Sequence, residues 1–371
     1  MKIIITHASA GAGHKRCAEA IYEYIKKHCP SADIQLIDVL SKSSAFFKLT
    51  YIWGYSFLVR YLVWLWGFFF WITEVKFLRS LSRNIALFVN RTSTTKFRKF
   101  LIEQNPDFII STHFLPSEVA SRLKREDKIK SKLITVITDF GVHPFWLNAE
   151  TDQYVVASEL TKKELVAKGV SAGKVEVFGI PIDQKFSQSF DRTVLCQKLN
   201  LNPDSFTVLI MTGSFGVGPL EEIAELLCKD VQVLVVCAAN KKLYSRLKNK
   251  NLSNVAVFGY VDNTEELMAV SDIIITKPGG LSIAEALSME LVPIFISAIP
   301  GQEEGNVRVL GEYGIGIKPK TVADVKNIIL NFKNDPNELS RIKGLIRNIK
   351  KPCAEKEICN AVCKGSAGDS C

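Results

Sequence analysis

Two stretches of the chain place chemically useful residues at spacings that a fold can exploit. The first is the opening MKIIITHASAGAGHKRCAEAI, where the apolar run Ile3-Ile4-Ile5 gives way to Gly11, Gly13 and then His14. Small residues between a strand and a helix let a ligand approach the backbone. The first helical turn then offers unpaired amides to an anion. A histidine at that point, with an ordinary pKa near ~6.5, is suited to take a proton at neutral pH. It is equally suited to be a helix-start residue with no chemistry, and position alone leaves the two even. The stretch is neither a Walker loop nor a G-x-G-x-x-G motif. The second stretch is DIIITKPGGLSIAEALSMELVPIFISAIPGQEEGN. A strand ends in Lys277-Pro278-Gly279-Gly280, Ser282 stands near a helix start, and Glu285 follows one turn in. After the next strand come Gly301, Gln302, Glu303, Glu304, Gly305 and Asn306. Glycines and helix-start amides suit a diphosphate. Glu285 suits two vicinal ribose hydroxyls, and Gln302 and Glu303 suit sugar hydroxyls. Either motif alone reads as a turn with acidic capping charges. Both, in order and one strand–helix unit apart, point to a nucleotide sugar.

The elements that must position these residues alternate in type. KIIITHAS, DIQLIDVL, PDFIIST, KLITVITD, QYVVAS and VEVFG read as strands, with helical stretches such as HKRCAEAIYEYIKKH between them. In that first helix Cys17, Ile21, Tyr24, Ile25 and His28 fall on one side. The pattern breaks at GIPIDQKFSQSFD, which reads as an interdomain linker, and restarts with FTVLIMTGS, VQVLVVCA, VAVFGY, DIIITK and PIFISA. Strands apolar on both faces belong in buried parallel sheets. The expectation is an α/β chain of two Rossmann-like domains facing a central cleft. Residues 1–186 make the first, 187–345 the second, and 346–371 a C-terminal helix and tail. The last helices, about 322–351, are expected to pack back across the cleft.

With 371 residues, two domains are the natural prior. The 47 Lys+Arg against 38 Asp+Glu leave +9, which suggests polyanions as partners. Nucleic acid ranks low, because no RNP, zinc-finger or helix-turn-helix signature is present. No secretory signal is read at the start. Of the nine cysteines, Cys17, Cys29, Cys196, Cys228 and Cys237 read as ordinary reduced thiols. Cys353, Cys359, Cys363 and Cys371 crowd the tail without a paired C-x-x-C spacing. A solvated tail is expected there, and no metal site. Residues 44–91 do not fit the α/β rhythm. They hold Trp53, Trp64, Trp66 and Trp71, bordered by basic residues such as Arg60, Lys76 and Arg79. The apolar run falls short of the ~20 residues of a spanning helix. Aromatics beside cations describe an element lying in an anionic bilayer surface, with a buried helical hairpin as the alternative.

The motifs SAGAGHKRCAEAI, TDFGVHPFW, GSFGVG, TKPGGLSIAEAL and PGQEEGN together resemble the glycosyltransferases of the type-B (GT-B) fold. More closely they resemble the diacylglycerol glycosyltransferases, the monoglycosyl- and processive diglycosyl-diacylglycerol synthases, which are relatives of the lipid-II-forming N-acetylglucosaminyltransferase. The resemblance implies a UDP-hexose donor, a diacylglycerol acceptor on an anionic membrane surface, and no cofactor or nucleotide-bound metal. It implies His14 as the catalytic base, with Asp139 as a candidate to orient it. On the donor side it implies Gly280, Leu281 and Ser282 for the diphosphate and Glu285 for the ribose. Gln302 and Glu303 serve sugar hydroxyls with Asn306 in the same loop, Phe258 the uracil pocket, and Gly213, Ser214 and Gly216 a loop beneath the phosphates. Gly13, His143 and Trp146 fall on the acceptor side, and the four tryptophans on the membrane side. The tryptophan-rich segment and the cysteine-rich tail depart from the family pattern. The implied activity is an inverting transfer of hexose to the 3-hydroxyl of 1,2-diacylglycerol, by a peripheral protein on the cytoplasmic membrane face. A polyprenyl-linked or other lipid acceptor, a nucleotide-sugar 2-epimerase, and a non-catalytic UDP-sugar sensor are the rivals. The 44–91 segment argues against the epimerase, which has no use for it.

Overall fold

The computed structural model describes residues 1–9, 11–44, 47–50, 54, 93–298, 301 and 303–363. Nearly all of 44–91, including Trp53, Trp64, Trp66 and Trp71, lies outside the described residues, as does Gln302. The chain divides into two compact units. The first contains Met1–Asp183, Ile299–Asn306 and Lys351–Cys371, and the second Gln184–Ala298 and Val307–Lys350.

The first unit is built on a six-stranded sheet, all of it parallel. Its strands are β1 (Lys2–His7), β2 (Asp33–Asp38), β3 (Phe108–Ser111), β4 (Lys132–Val136), β5 (Gln153–Val155) and β6 (Val175–Glu176), in the order β2-β1-β3-β4-β5-β6. Helices α1 (Ala12–His28), α2 (Thr95–Gln104), α3 (Phe114–Arg125) and α4 (Glu159–Ala167) run between them. Ile3, Ile4 and Ile5 are all fully buried, because helices cover both faces of the sheet. In α1 the residues Cys17, Ala18, Ile21 and Ile25 make the buried stripe. Tyr24 and His28 sit at its edge instead, their rings stacked 4.0 Å apart.

The second unit holds a five-stranded sheet, also parallel, in the order β11-β10-β7-β8-β9. Its strands are β7 (Thr207–Met211), β8 (Gln232–Val236), β9 (Val255–Phe258), β10 (Ile273–Thr276) and β11 (Val292–Phe295). The helices are α5 (Arg192–Leu199), α6 (Leu220–Leu227), α7 (Lys241–Lys250), α8 (Thr264–Ala269), α9 (Gly280–Ser288), α10 (Glu304–Glu312), α11 (Val322–Asn334) and α12 (Pro336–Ile349). The first residues of α10, through Asn306, group with the first unit.

Two expectations for the C-terminal end need correction. Helices α11 and α12 pack within the second unit, against α6 and β11. It is α13 (Ala354–Cys363) that joins the first unit, where it lies against α1. Residues 354–363 are therefore not a solvated tail. Ile358, Cys359 and Val362 complete an apolar cluster with Ile21 and Ile25, which removes all five from water. Cys29, expected as an ordinary reduced thiol, is paired with Cys363.

Candidate active site

In an open parallel sheet, a ligand crevice forms at the carboxyl ends of two neighbouring strands whose connections leave in opposite directions. In the first sheet that switch point lies between β1 and β3. His14, in the first turn of α1, follows β1, and Thr112 and His113 follow β3. The two loops meet. His14 Nδ1 is 2.8 Å from the Thr112 carbonyl oxygen, and Thr112 Oγ1 donates to the His14 carbonyl oxygen at 2.8 Å. A carbonyl oxygen can only accept, so Nδ1 carries the proton and Thr138 Oγ1, also 2.8 Å from Nδ1, can only accept as well. The neutral ring thus keeps its lone pair on Nε2. Gly11 caps α1 with φ 101°, a conformation that favours glycine, and neither a side-chain cap nor an acidic first-turn residue occupies the helix start.

The ring sits among aromatics. His113 meets it edge-on at a centroid distance of 4.6 Å, and Trp146 lies 6.3 Å away. Burial pushes the His14 pKa below its ordinary value, while the Asp139 charge and the Thr112 carbonyl pull it back up. Burial, with help from His14 and His7, holds His113 well below the ordinary value. His113 accepts from the Leu115 amide through Nδ1 at 3.0 Å, which fixes it as the Nε2–H tautomer.

Asp139 is held from an unexpected direction. Asn306 Nδ2 donates to Asp139 Oδ1 at 3.1 Å, and Asn306 Oδ1 accepts from the Phe140 and Gly141 amides at 2.7 and 3.1 Å. Burial raises the Asp139 pKa, and the Asn306 amide and His14 lower it. Asn306 follows the sugar-hydroxyl candidates in the same loop, and its fully buried side chain clamps the TDFG loop that carries Asp139. The approach is close. A Cβ on Gly141 would meet the Gly305 Cα and C atoms at 2.8 Å. Gly141→Ala should therefore force two backbones apart at a cost of about 1–3 kcal/mol. The expected result is lower turnover with a lowered melting temperature, read by activity assay and calorimetry on the same preparation.

The remaining acceptor-side residues are near but differently used. Trp146 is only 3% exposed and packs with Val142 and Tyr154, so it walls His14 rather than presenting a surface. His143 caps the short turn Pro144–Trp146 by accepting from the Phe145 amide at 3.3 Å. Gly13 is half-buried in the first turn of α1. Sequence reasoning passed over Thr112, His113 and Thr138. The available signal was STHF, a histidine just past an apolar strand, as His14 is.

The second sheet repeats the logic. Its switch point lies between β7 and β10. The loop after β7 carries Gly213, Ser214 and Gly216, and the loop after β10 leads into α9 with Gly280, Leu281 and Ser282 in its first turn. Gly279 precedes α9 with extended backbone, and no side chain caps the helix. The first-turn amides therefore remain available to an anion. Glu285 is 4% exposed on the second turn. Phe258 ends β9, at the same carboxyl edge of the sheet. Glu303 is buried just before α10.

Two parallel sheets, each with its candidate residues at the switch point, define a tandem α/β protein of the type-B glycosyltransferase fold. Solved structures share it. MurG from Acinetobacter baumannii superposes with a TM-score of 0.61 over 98% of this chain and 99% of that one, at 12% identity. The UDP-GlcNAc 2-epimerase from Neisseria meningitidis bound to UDP-GlcNAc gives 0.59 over 98% and 100%, at 14% identity.

Sequence similarity narrows the class. The family described as Monogalactosyldiacylglycerol (MGDG) synthase matches residues 14–182, and the Glycosyltransferase family 28 C-terminal domain matches residues 207–309. A processive diacylglycerol beta-glucosyltransferase from Staphylococcus aureus is 33% identical over 270 residues, 71% of this chain and 68% of that protein. One from Bacillus cereus is 28% identical over 359 residues, 95% of this chain and 90% of that protein. The chain belongs to the diacylglycerol glycosyltransferase family.

Proposed function

We propose that the chain is an inverting glycosyltransferase that moves a hexose from a UDP-sugar to the 3-hydroxyl of 1,2-diacylglycerol. The observation that carries the reading is the His14 ring, tied through Nδ1–H to the Thr112 carbonyl at 2.8 Å with its Nε2 lone pair left over. The acceptor hydroxyl is a poor nucleophile at neutral pH. As its oxygen bonds to the anomeric carbon, Nε2 takes the hydroxyl proton. The bond from that carbon to the diphosphate oxygen breaks, and UDP leaves with the electron pair. Attack opposite the departing group turns an α-linked donor into a β-glycoside. The imidazolium so formed is stabilised by Asp139.

Charge develops on the departing diphosphate. The uncapped amides of Gly280, Leu281 and Ser282, with the positive end of α9, are suited to receive it. That supports catalysis without a nucleotide-bound metal, and turnover is expected with no added Mg²⁺ or Mn²⁺. Glu285 is assigned to the ribose, Gln302 and Glu303 to the sugar hydroxyls, and Phe258 to the uracil.

Diacylglycerol stays in its bilayer, so the protein must come to it. No helix among the described residues is long and apolar enough to cross a membrane. The formal charge of +9 favours a peripheral association with anionic lipid on the cytoplasmic face. The test incubates the protein with anionic vesicles containing diacylglycerol and each UDP-hexose, followed by lipid mass analysis. One or more hexose masses on diacylglycerol are expected, with vesicle binding that weakens as salt rises. Transfer only to a polyprenyl acceptor, or none at all, overturns the assignment.

A further inference from the structure

Three sulfurs meet where α13 lies on α1. Cys29 follows the last residue of α1, and Cys359 and Cys363 lie one turn apart on α13. Cys359 Sγ is 3.7 Å from Cys29 Sγ and 3.8 Å from Cys363 Sγ. All three ligand atoms lie within 4.8 Å of one another. Cys359 is buried, and the other two are half-buried.

These spacings fit a cation better than a lone covalent bridge. Zinc–sulfur bonds of ~2.3 Å at tetrahedral angles separate the sulfurs by about 3.8 Å. Two of the three pairs already stand at that edge length. The third pair, Cys29 and Cys363, is joined as a disulfide, yet its Cα atoms are 7.4 Å apart. Disulfides usually bring Cα atoms to ~4.4–6.8 Å, whereas two sulfur–metal bonds reach across a wider gap than one sulfur–sulfur bond. The neighbourhood also suits the charge. Three thiolates around a divalent cation leave one net negative charge, and the last turn of α1 supplies Lys26, Lys27 and His28.

We propose that in the reduced protein Cys29, Cys359 and Cys363 form a thiolate site for one zinc-class divalent cation, which pins the C-terminal helix to α1. Binding replaces waters of the hydrated ion with three sulfurs, each ligating thiol gives its proton to solvent, and the fourth position stays with solvent. His14 and Cys29 are fifteen residues apart along α1 and its cap. That is about 22 Å at ~1.5 Å per residue, so the ion has no part in sugar transfer.

The test uses the full chain, reduced and desalted without oxygen. Addition of Co²⁺ should saturate a sulfur-to-cobalt charge-transfer band at one equivalent. Zn²⁺ should abolish that band, raise the melting temperature and appear as one bound ion in native mass spectra. Cys359→Ser should weaken Zn²⁺ binding by at least the roughly 10- to 100-fold that loss of an outer-shell partner costs a metal site, without changing turnover, while Cys196→Ser in the second unit keeps full binding. A reduced wild-type chain that takes up no Co²⁺ or Zn²⁺ at micromolar concentration overturns the proposal, whether or not the variants fold. So does a Cys29–Cys363 disulfide that persists through reduction.

Discussion

Replacing His14 with alanine should lower turnover by about 10²- to 10⁴-fold, the usual contribution of a positioned general base. Donor binding should change little, because the diphosphate, ribose and uracil candidates Gly280, Leu281, Ser282, Glu285 and Phe258 belong to the second sheet and its helices. Stability should also change little. His14 is partly exposed in the first turn of α1, outside the buried stripe of Cys17, Ala18, Ile21 and Ile25. Near-wild-type turnover of His14→Ala would show that the proton leaves by another route. The pH dependence gives a second readout. A base must be neutral, so activity should fall as pH drops through the His14 pKa. Burial places that pKa below ~6.5, and the acid limb of the rate profile should therefore lie in the acidic range. Asp139→Asn removes the charge that raises it. The acid limb should then move to still lower pH, even though the rate falls as the imidazolium loses its partner.

The second large effect is expected at a residue that does not touch the His14 ring in this arrangement. Asn306→Ala should cost about 10- to 100-fold in turnover, corresponding to about 1.5–3 kcal/mol for a hydrogen bond to a charged group. Three groups lose their partner together: the Asp139 carboxylate and the amides of Phe140 and Gly141. The melting temperature should fall as well, since buried amides without acceptors destabilise a fold. A purely structural role would stop there. A positioning role predicts one more shift. Asn306 lowers the Asp139 pKa, so its loss favours protonated Asp139 and removes charge from beside His14. Asn306→Ala should then displace the acid limb in the same direction as Asp139→Asn, and an unmoved limb would reduce Asn306 to packing.

Much of the fold was legible because it is written locally. Runs such as Ile3–Ile5 and Val208–Ile210 are apolar on both faces, and this alone marks buried parallel strands. The glycine turns ahead of α1 and α9 are equally local, and so is the absence of capping side chains. Both motifs therefore appeared at helix starts as expected. The tail misled for the opposite reason. Cys353, Cys359 and Cys363 match no local metal template, and their spacing says nothing about Cys29, the thiol that Cys363 joins 334 positions away.

The sequence by itself determined the alternation of strands and helices, the two glycine-bounded helix starts, and the family these motifs identify. Those properties depend on neighbours within a few residues, where periodicity and turn chemistry act. Only the tertiary structure decided which loops became partners. Thr112 reaches His14 across 98 positions because β3 pairs directly with β1, and Asn306 reaches Asp139 across 167. Strand order and the return of residues 299–306 to the first unit brought these groups together. Such contacts follow from the packing of whole elements, which no short window of residues encodes.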